Sequence, residues 1–181
     1  MKLLQYFILI HLLAFFLFSC KEKTKKKSFT TREISQIKEN LVGVHKYLVG
    51  KDADSIKRYS DSNYLDLQES RTGLWYRVYC MGNGEPIKTG DRVSIDYRVS
   101  FLNNKTVYTS DSIGIKHFIV GRGGVESGLE EGILLMCKGD SALFVMPPHL
   151  AYGVAGDGRK IPRLSIIKYN VTVVDVVKPK R

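Results

Sequence analysis

Gly124–Met136 reads Gly-Val-Glu-Ser-Gly-Leu-Glu-Glu-Gly-Ile-Leu-Leu-Met. Val125, Leu129, Ile133 and Met136 recur at i, i+4, i+8 and i+11, which places them on one face of a helix. Ser127 has the chemistry of an N-cap, and Glu130 three residues later completes a capping-box pattern. The segments on either side read almost entirely as strands. A lone amphipathic helix among strands has one use: its apolar face closes one side of a curved sheet.

Working outward, the strands carry alternation or β-branched and aromatic enrichment. Leu74–Cys80 is a strand by composition and ends at the turn signal Gly82-Asn83-Gly84. In Arg92–Leu102, Val93, Ile95, Tyr97, Val99 and Phe101 share one face, while Arg92, Ser94, Asp96, Arg98 and Ser100 share the other. That is the pattern of a half-buried antiparallel strand. Asn103-Asn104 is a tight turn, and Thr106–Ser110, Lys116–Val120, Ser141–Met146 and Leu164–Val177 supply the remaining strands. The expected fold is α+β: a curved antiparallel sheet wrapped around one short helix, beginning near Gly73.

The region before Gly73 is of another kind. Residues 1–19 hold one positive charge, Lys2, and an apolar run from Leu3 to Phe18, short for a membrane span and suited to a signal peptide. The run ends in Leu17-Phe18-Ser19-Cys20, similar to a bacterial lipobox, with Cys20 as the lipidated residue. Residues 20–30 form a lysine-rich tether. The net charge of +10 is partly local to it, because Lys21–Lys27 contains five lysines against one glutamate. A basic run directly after an apolar segment reads as a juxtamembrane tether, and no basic recognition helix or aromatic-interleaved strand points to nucleic acid.

Residues 31–72 are helical. Ile34, Ile37, Leu41, Val44 and Leu48 form a heptad-like stripe, Gly50 suits a helix end, and Asp52 or Asp54 suits the cap of a second helix carrying Ile56 and Tyr59. The stripe must be covered, either by the following domain or by a second chain through 31–68. Cys20, Cys80 and Cys137 show no metal-ligand spacing, and Cys80 and Cys137 read as buried thiols whose spacing leaves pairing open. No cofactor or metal is expected.

Five motifs in order now matter: Gly-Asp-Arg-Val-Ser-Ile-Asp-Tyr (90–97), Tyr-Thr-Ser-Asp (108–111), Phe-Ile-Val-Gly (118–121), Val-Glu-Ser-Gly-Leu-Glu-Glu-Gly-Ile (125–133) and Met-Pro-Pro-His-Leu-Ala-Tyr-Gly (146–153). Together, over residues 73–177, they resemble the FK506-binding class of peptidyl-prolyl isomerases. With the lipobox and helical prelude, the chain resembles the lipoprotein isomerases of Bacteroidetes-type bacteria. The resemblance implies an isomerase domain over 73–181, acting on proline-containing polypeptide clients at the cell envelope. It would be lipid-anchored to a membrane surface, on the periplasmic side or at the outer membrane. It also implies catalytic wall residues Tyr97, Tyr108, Phe118, Tyr152 and Tyr169, with Val125, Leu129, Ile161 and the Glu126 backbone amide binding substrate. The Tyr152 hydroxyl is expected to donate to a substrate carbonyl, in an otherwise apolar pocket.

Two residues depart from the family pattern. The pocket floor, usually tryptophan, is Leu129, and the aspartate usual after the Tyr108 position is Thr109. Losing that carboxylate removes an acceptor near the substrate and points to weaker catalysis. The competing expectations are a binding or chaperone module that keeps the pocket with little catalysis, and a structural lipoprotein working through 31–68.

Overall fold

The computed structural model describes residues 30–79, 82 and 84–179. The leader, Cys20 and the tether up to residue 29 lie outside the described residues, as does Cys80 with the question of its pairing. By its internal contacts the chain divides between Leu41 and Val42.

Helix α1 (Thr31–Ser62) begins with a reciprocal cap. The Glu33 carboxylate accepts from the Thr30 amide at 2.8 Å and its hydroxyl at 2.9 Å, while the Glu33 amide donates back to Thr30 Oγ1 at 3.3 Å. The expected break at Gly50 does not occur, and α1 runs through it as one helix. A helical glycine costs only about 1 kcal/mol, and no proline follows to stop the helix.

Among the described residues, seven strands form one antiparallel sheet: β1 (Gln68–Glu69), β2 (Trp75–Tyr79), β3 (Arg92–Phe101), β4 (Thr106–Thr109), β5 (Lys116–Ile119), β6 (Ser141–Met146) and β7 (Ile167–Val177). Their order is β1-β2-β6-β7-β3-β4, with β5 also on β3. β3 pairs with β7 along its whole length. On its other edge it pairs first with β5, at Arg92–Ile95, and then with β4, at Arg98–Ser100. The one-turn helix α2 (Ser110–Ile113) fills the interval, taking residues expected as strand end and loop. At this interruption the Tyr97 amide donates to Ser110 Oγ at 3.1 Å.

The inner face holds Val93, Ile95, Tyr97 and Val99 of β3, as their alternation predicts, packed with Phe144, Tyr169 and Ile167. Helix α3 (Ser127–Ile133) lies on this face. Its closeness to β6 depends on two glycines four residues apart. A Cβ on Gly132 would lie 2.6 Å from the Phe144 ring, and one on Gly128 would lie 3.0 Å from Met146 Sδ. The capping box expected in α3 does not form. Glu126 is the N-cap, the Ser127 hydroxyl donates to the Leu150 carbonyl, and Glu130 accepts from the Gly123 amide at 3.0 Å.

Part of the outer face is covered as well. Ile56 of α1 packs with Trp75, Leu143 and Val145, flanked by Leu65, Leu67, Leu102 and Ile166. Beside this cluster Lys168, 5% exposed, donates to the Tyr59 hydroxyl at 2.6 Å and to Asn104 Oδ1 at 2.5 Å. The C-terminal half of α1 therefore belongs to the packing of the sheet.

Candidate active site

Tyr97 stands on β3 where the sheet edge changes partner, and Tyr169 stands on the neighbouring strand with its ring centroid 6.0 Å away. The entry to α3 brings Val125, Glu126 and Leu129 to the same face, and the 3₁₀ turn Pro148–Leu150 delivers Tyr152 from the far side. Tyr152 and Tyr169 meet at the Glu126 carboxylate. Its Oε1 accepts from the Tyr169 hydroxyl at 2.8 Å and also from the Tyr152 hydroxyl.

Glu126 is 9% exposed, and its Oε2 is buried without a hydrogen bond. The nearest cation is the Lys116 ammonium, 3.7 Å from Oε2. Lys116 also donates to the Tyr169 hydroxyl at 3.1 Å and lies 5.0 Å and 5.4 Å from the centroids of the Tyr97 and Tyr169 rings. A carboxylate with two hydroxyl donors and an adjacent ammonium offsets much of the desolvation that would otherwise expel it.

A second cluster forms across the site. The Tyr108 hydroxyl donates to Asp157 Oδ2, and Asp157 Oδ1 accepts from the Arg159 and Ile161 amides, each at 2.8 Å. This ties the loop carrying Ile161 to the wall strand β4. Lys160 lies 5.3 Å from the centroid of the Tyr108 ring.

The electrostatics follow from these contacts. Burial, with Glu126 beside them, pushes the Tyr97, Tyr152 and Tyr169 hydroxyls above the usual phenol range. The hydrogen bond to Asp157, with burial, does the same for Tyr108. Burial pushes Asp157 up, but its hydrogen bonds from Tyr108 and the loop amides outweigh this and hold it below the usual carboxylate value. At neutral pH all four hydroxyls therefore keep their protons, and Tyr108, Tyr152 and Tyr169 donate them to carboxylates.

Several expected roles change. Leu129 and Tyr169 have no exposed surface in this structure, so both belong to the core from which the site is built. Phe118 sits opposite Val93 in the core. Lys116, two residues earlier on the same strand face, is the β5 residue that reaches the tyrosines. The pocket is not uniformly apolar, and the Tyr152 hydroxyl is engaged by Glu126. The backbone amide of Glu126 has no acceptor among the described residues. Ile161 is buried at the edge of the site, while Val125, Tyr108 and Tyr152 are half-buried against it. Lys116, Lys160 and Asp157 were missed from the sequence. The signal for Lys116 was its parity: in β5 it shares a face with Phe118.

The tyrosine rings give the site aromatic sides, and the Glu126 amide is left as a donor while Tyr108, Tyr152 and Tyr169 give their hydroxyls to carboxylates. Among the described residues, no group of three or more His, Cys, Asp or Glu side chains could hold a metal. The profile of the family described as FKBP-type peptidyl-prolyl cis-trans isomerase matches residues 83–174, just over half of the chain and every residue named in this site.

The chain belongs to that family.

Among relatives, it is 29% identical over 163 residues to a Haemophilus influenzae protein named "Probable FKBP-type peptidyl-prolyl cis-trans isomerase", covering 86% of this chain and 67% of that one. It is 34% identical over 131 residues to the Bos taurus peptidyl-prolyl cis-trans isomerase FKBP9, covering 70% of this chain but only 22% of that protein. Among solved structures it is similar to FkpA from Escherichia coli, with a TM-score of 0.59 and 28% identity, covering 84% of this chain and 75% of that one. Within the matched span, this candidate site carries Glu126 and Lys116 beside its tyrosines.

Proposed function

We propose that this FKBP-type isomerase acts on proline-containing exported polypeptides at the cell envelope, lipid-anchored through Cys20. The observation that carries the reading is the convergence of Tyr97, Tyr108, Tyr152 and Tyr169 on one site within the span matched by the family.

Rotation about an X–Pro bond faces a barrier of about 18–20 kcal/mol, and amide resonance is its source. In the twisted state the resonance is gone, so the nitrogen is more basic and the carbonyl less polar. A site that shields the ring from water and holds it between aromatic walls favours that state without a nucleophile or a proton transfer. The Glu126 amide is the donor available to a substrate carbonyl.

The anchored placement rests on the apolar leader, the Cys20 motif and the lysine tether. No helix among the described residues is long and apolar enough to cross a membrane. Pairing with a second copy is supported by the stripe of α1, since Ile34, Ile37, Leu41 and Val44 are exposed on the single chain.

The test is a proline-peptide isomerisation assay on the full chain in detergent, with mass spectrometry of the Cys20 peptide for an attached lipid. A rate equal to the uncatalysed one ends the isomerase reading, and an unmodified Cys20 in native membranes ends the anchoring. A second reading, a binding module with little turnover, is favoured by the Tyr152–Glu126 hydrogen bond, which occupies a hydroxyl otherwise offered to substrate.

A further inference from the structure

We propose that Lys116 and Lys160 make this site select prolines that lie next to an acidic residue, a preference that rests on the isomerase reading above. The two lysines come from separate elements and face the tyrosine walls from two sides, Lys116 over Tyr97 and Tyr169 and Lys160 over Tyr108.

The opposing carboxylates do not cancel them at the mouth of the site. Glu126 lies deeper than its partner: the side chain of Lys116 is 25% exposed and that of Glu126 is 6% exposed. The pair is thus a dipole with its positive end outward. The Glu126 Oε1 is already taken by two hydroxyls, and Asp157 is taken by Tyr108 and two loop amides. Lys160 is exposed, and its ammonium has one long contact of 3.5 Å, to the Val107 carbonyl. A chain entering between these walls therefore meets two ammonium groups with unused donor capacity, while Glu126 and Asp157 keep their charge but have oxygens already occupied by hydroxyl and amide donors. A substrate carboxylate beside the proline gains attraction from both lysines, and a substrate lysine is repelled.

The experiment uses the full chain and peptides with Glu, Ala or Lys immediately before or after the proline. The expected result is a kcat/KM for the Glu peptide about fivefold above that for the Lys peptide in at least one series, the size of one exposed charge pair. The ratio should fall toward one in about 1 M salt, where screening acts within roughly 3 Å. Lys116→Met and Lys160→Met should each shrink it, while Lys116→Arg retains it, which separates lost charge from lost folding. Equal rates for Glu and Lys peptides in both series, or a ratio that survives in the double Met variant, would overturn the proposal. If no peptide turns over faster than the uncatalysed rate, the isomerase reading falls instead. Fluorescence anisotropy with the same peptides then decides the charge preference by binding alone.

Discussion

The Tyr169 hydroxyl donates to Glu126 Oε1 at 2.8 Å from a side chain with no exposed surface, so this buried carboxylate depends on a core tyrosine. Tyr169→Phe would remove one of its two hydroxyl donors and leave the ring packing unchanged. The expected loss is about 1–3 kcal/mol, read as a lower urea midpoint with an unchanged m-value. An unchanged midpoint would mean that the carboxylate finds another donor at no cost.

Tyr152 is expected to contribute its ring more than its hydroxyl. Because Glu126 holds that hydroxyl, Tyr152→Phe should change kcat/KM less than twofold, whereas Tyr152→Ala removes a wall and lowers it about tenfold or more. In Glu126→Leu the hydroxyl is released to substrate, and the rate should rise. A wild-type rate that collapses in Tyr152→Phe would show that substrate displaces Glu126 from this hydroxyl.

The contact between α3 and β6 can be tested with two alanines. Gly132→Ala places a Cβ 2.6 Å from the Phe144 ring and should cost about 1–3 kcal/mol. Gly50→Ala, in open space on α1, should instead stabilise by about 0.5–1 kcal/mol. Opposite shifts in thermal midpoint are expected, and equal shifts would contradict the packing.

Ile56 measures how far α1 belongs to the isomerase fold. Its side chain is fully buried against Trp75, Leu143 and Val145, so Ile56→Ala should cost about 2–5 kcal/mol. Calorimetry should show the main transition moving as a whole. A separate small transition that moves alone would mean that the helix folds independently of the sheet.

Acid should weaken the fold through two aspartates. Burial pushes Asp91 up, but hydrogen bonds from the Lys178 ammonium and the Lys88 amide, each at 2.8 Å, outweigh it and hold the carboxyl below its usual value. Asp157 is held low in the same way. A carboxyl lowered by folding contributes stability that is present above its unfolded value, about 4, and lost as pH falls through the folded one. The melting temperature should therefore hold between about pH 7 and about pH 5, then drop below about pH 4. Asp91→Asn should show a smaller drop.

Alternation and local chemistry were enough to read the strands and the inner face of β3 from the sequence, because a strand shows its buried side every second residue. Helix α3 (Ser127–Ile133) was legible within Gly124–Met136 from its helical spacing of apolar residues, although its cap was not. Ser127 and Glu130 have the right spacing for a capping box, but tertiary partners at Leu150 and Gly123 take both side chains. Tyr97, Tyr108, Tyr152 and Tyr169 were named as walls only through the resemblance that their motifs carry.

What the sequence by itself determined is thus an α+β sheet-and-helix domain with tyrosines at a shared site, behind a helical prelude. Only the tertiary structure decided what those tyrosines face. Glu126 and Lys116 meet because α3 and β5 close on the same stretch of sheet, and Asp157 reaches Tyr108 across 49 positions of chain. Pairings of this kind depend on how elements close in space, and no local periodicity encodes them. For the same reason the sequence at Thr109 suggested a lost carboxylate, while in the fold two carboxylates, Asp157 and Glu126, hold the walls from elsewhere.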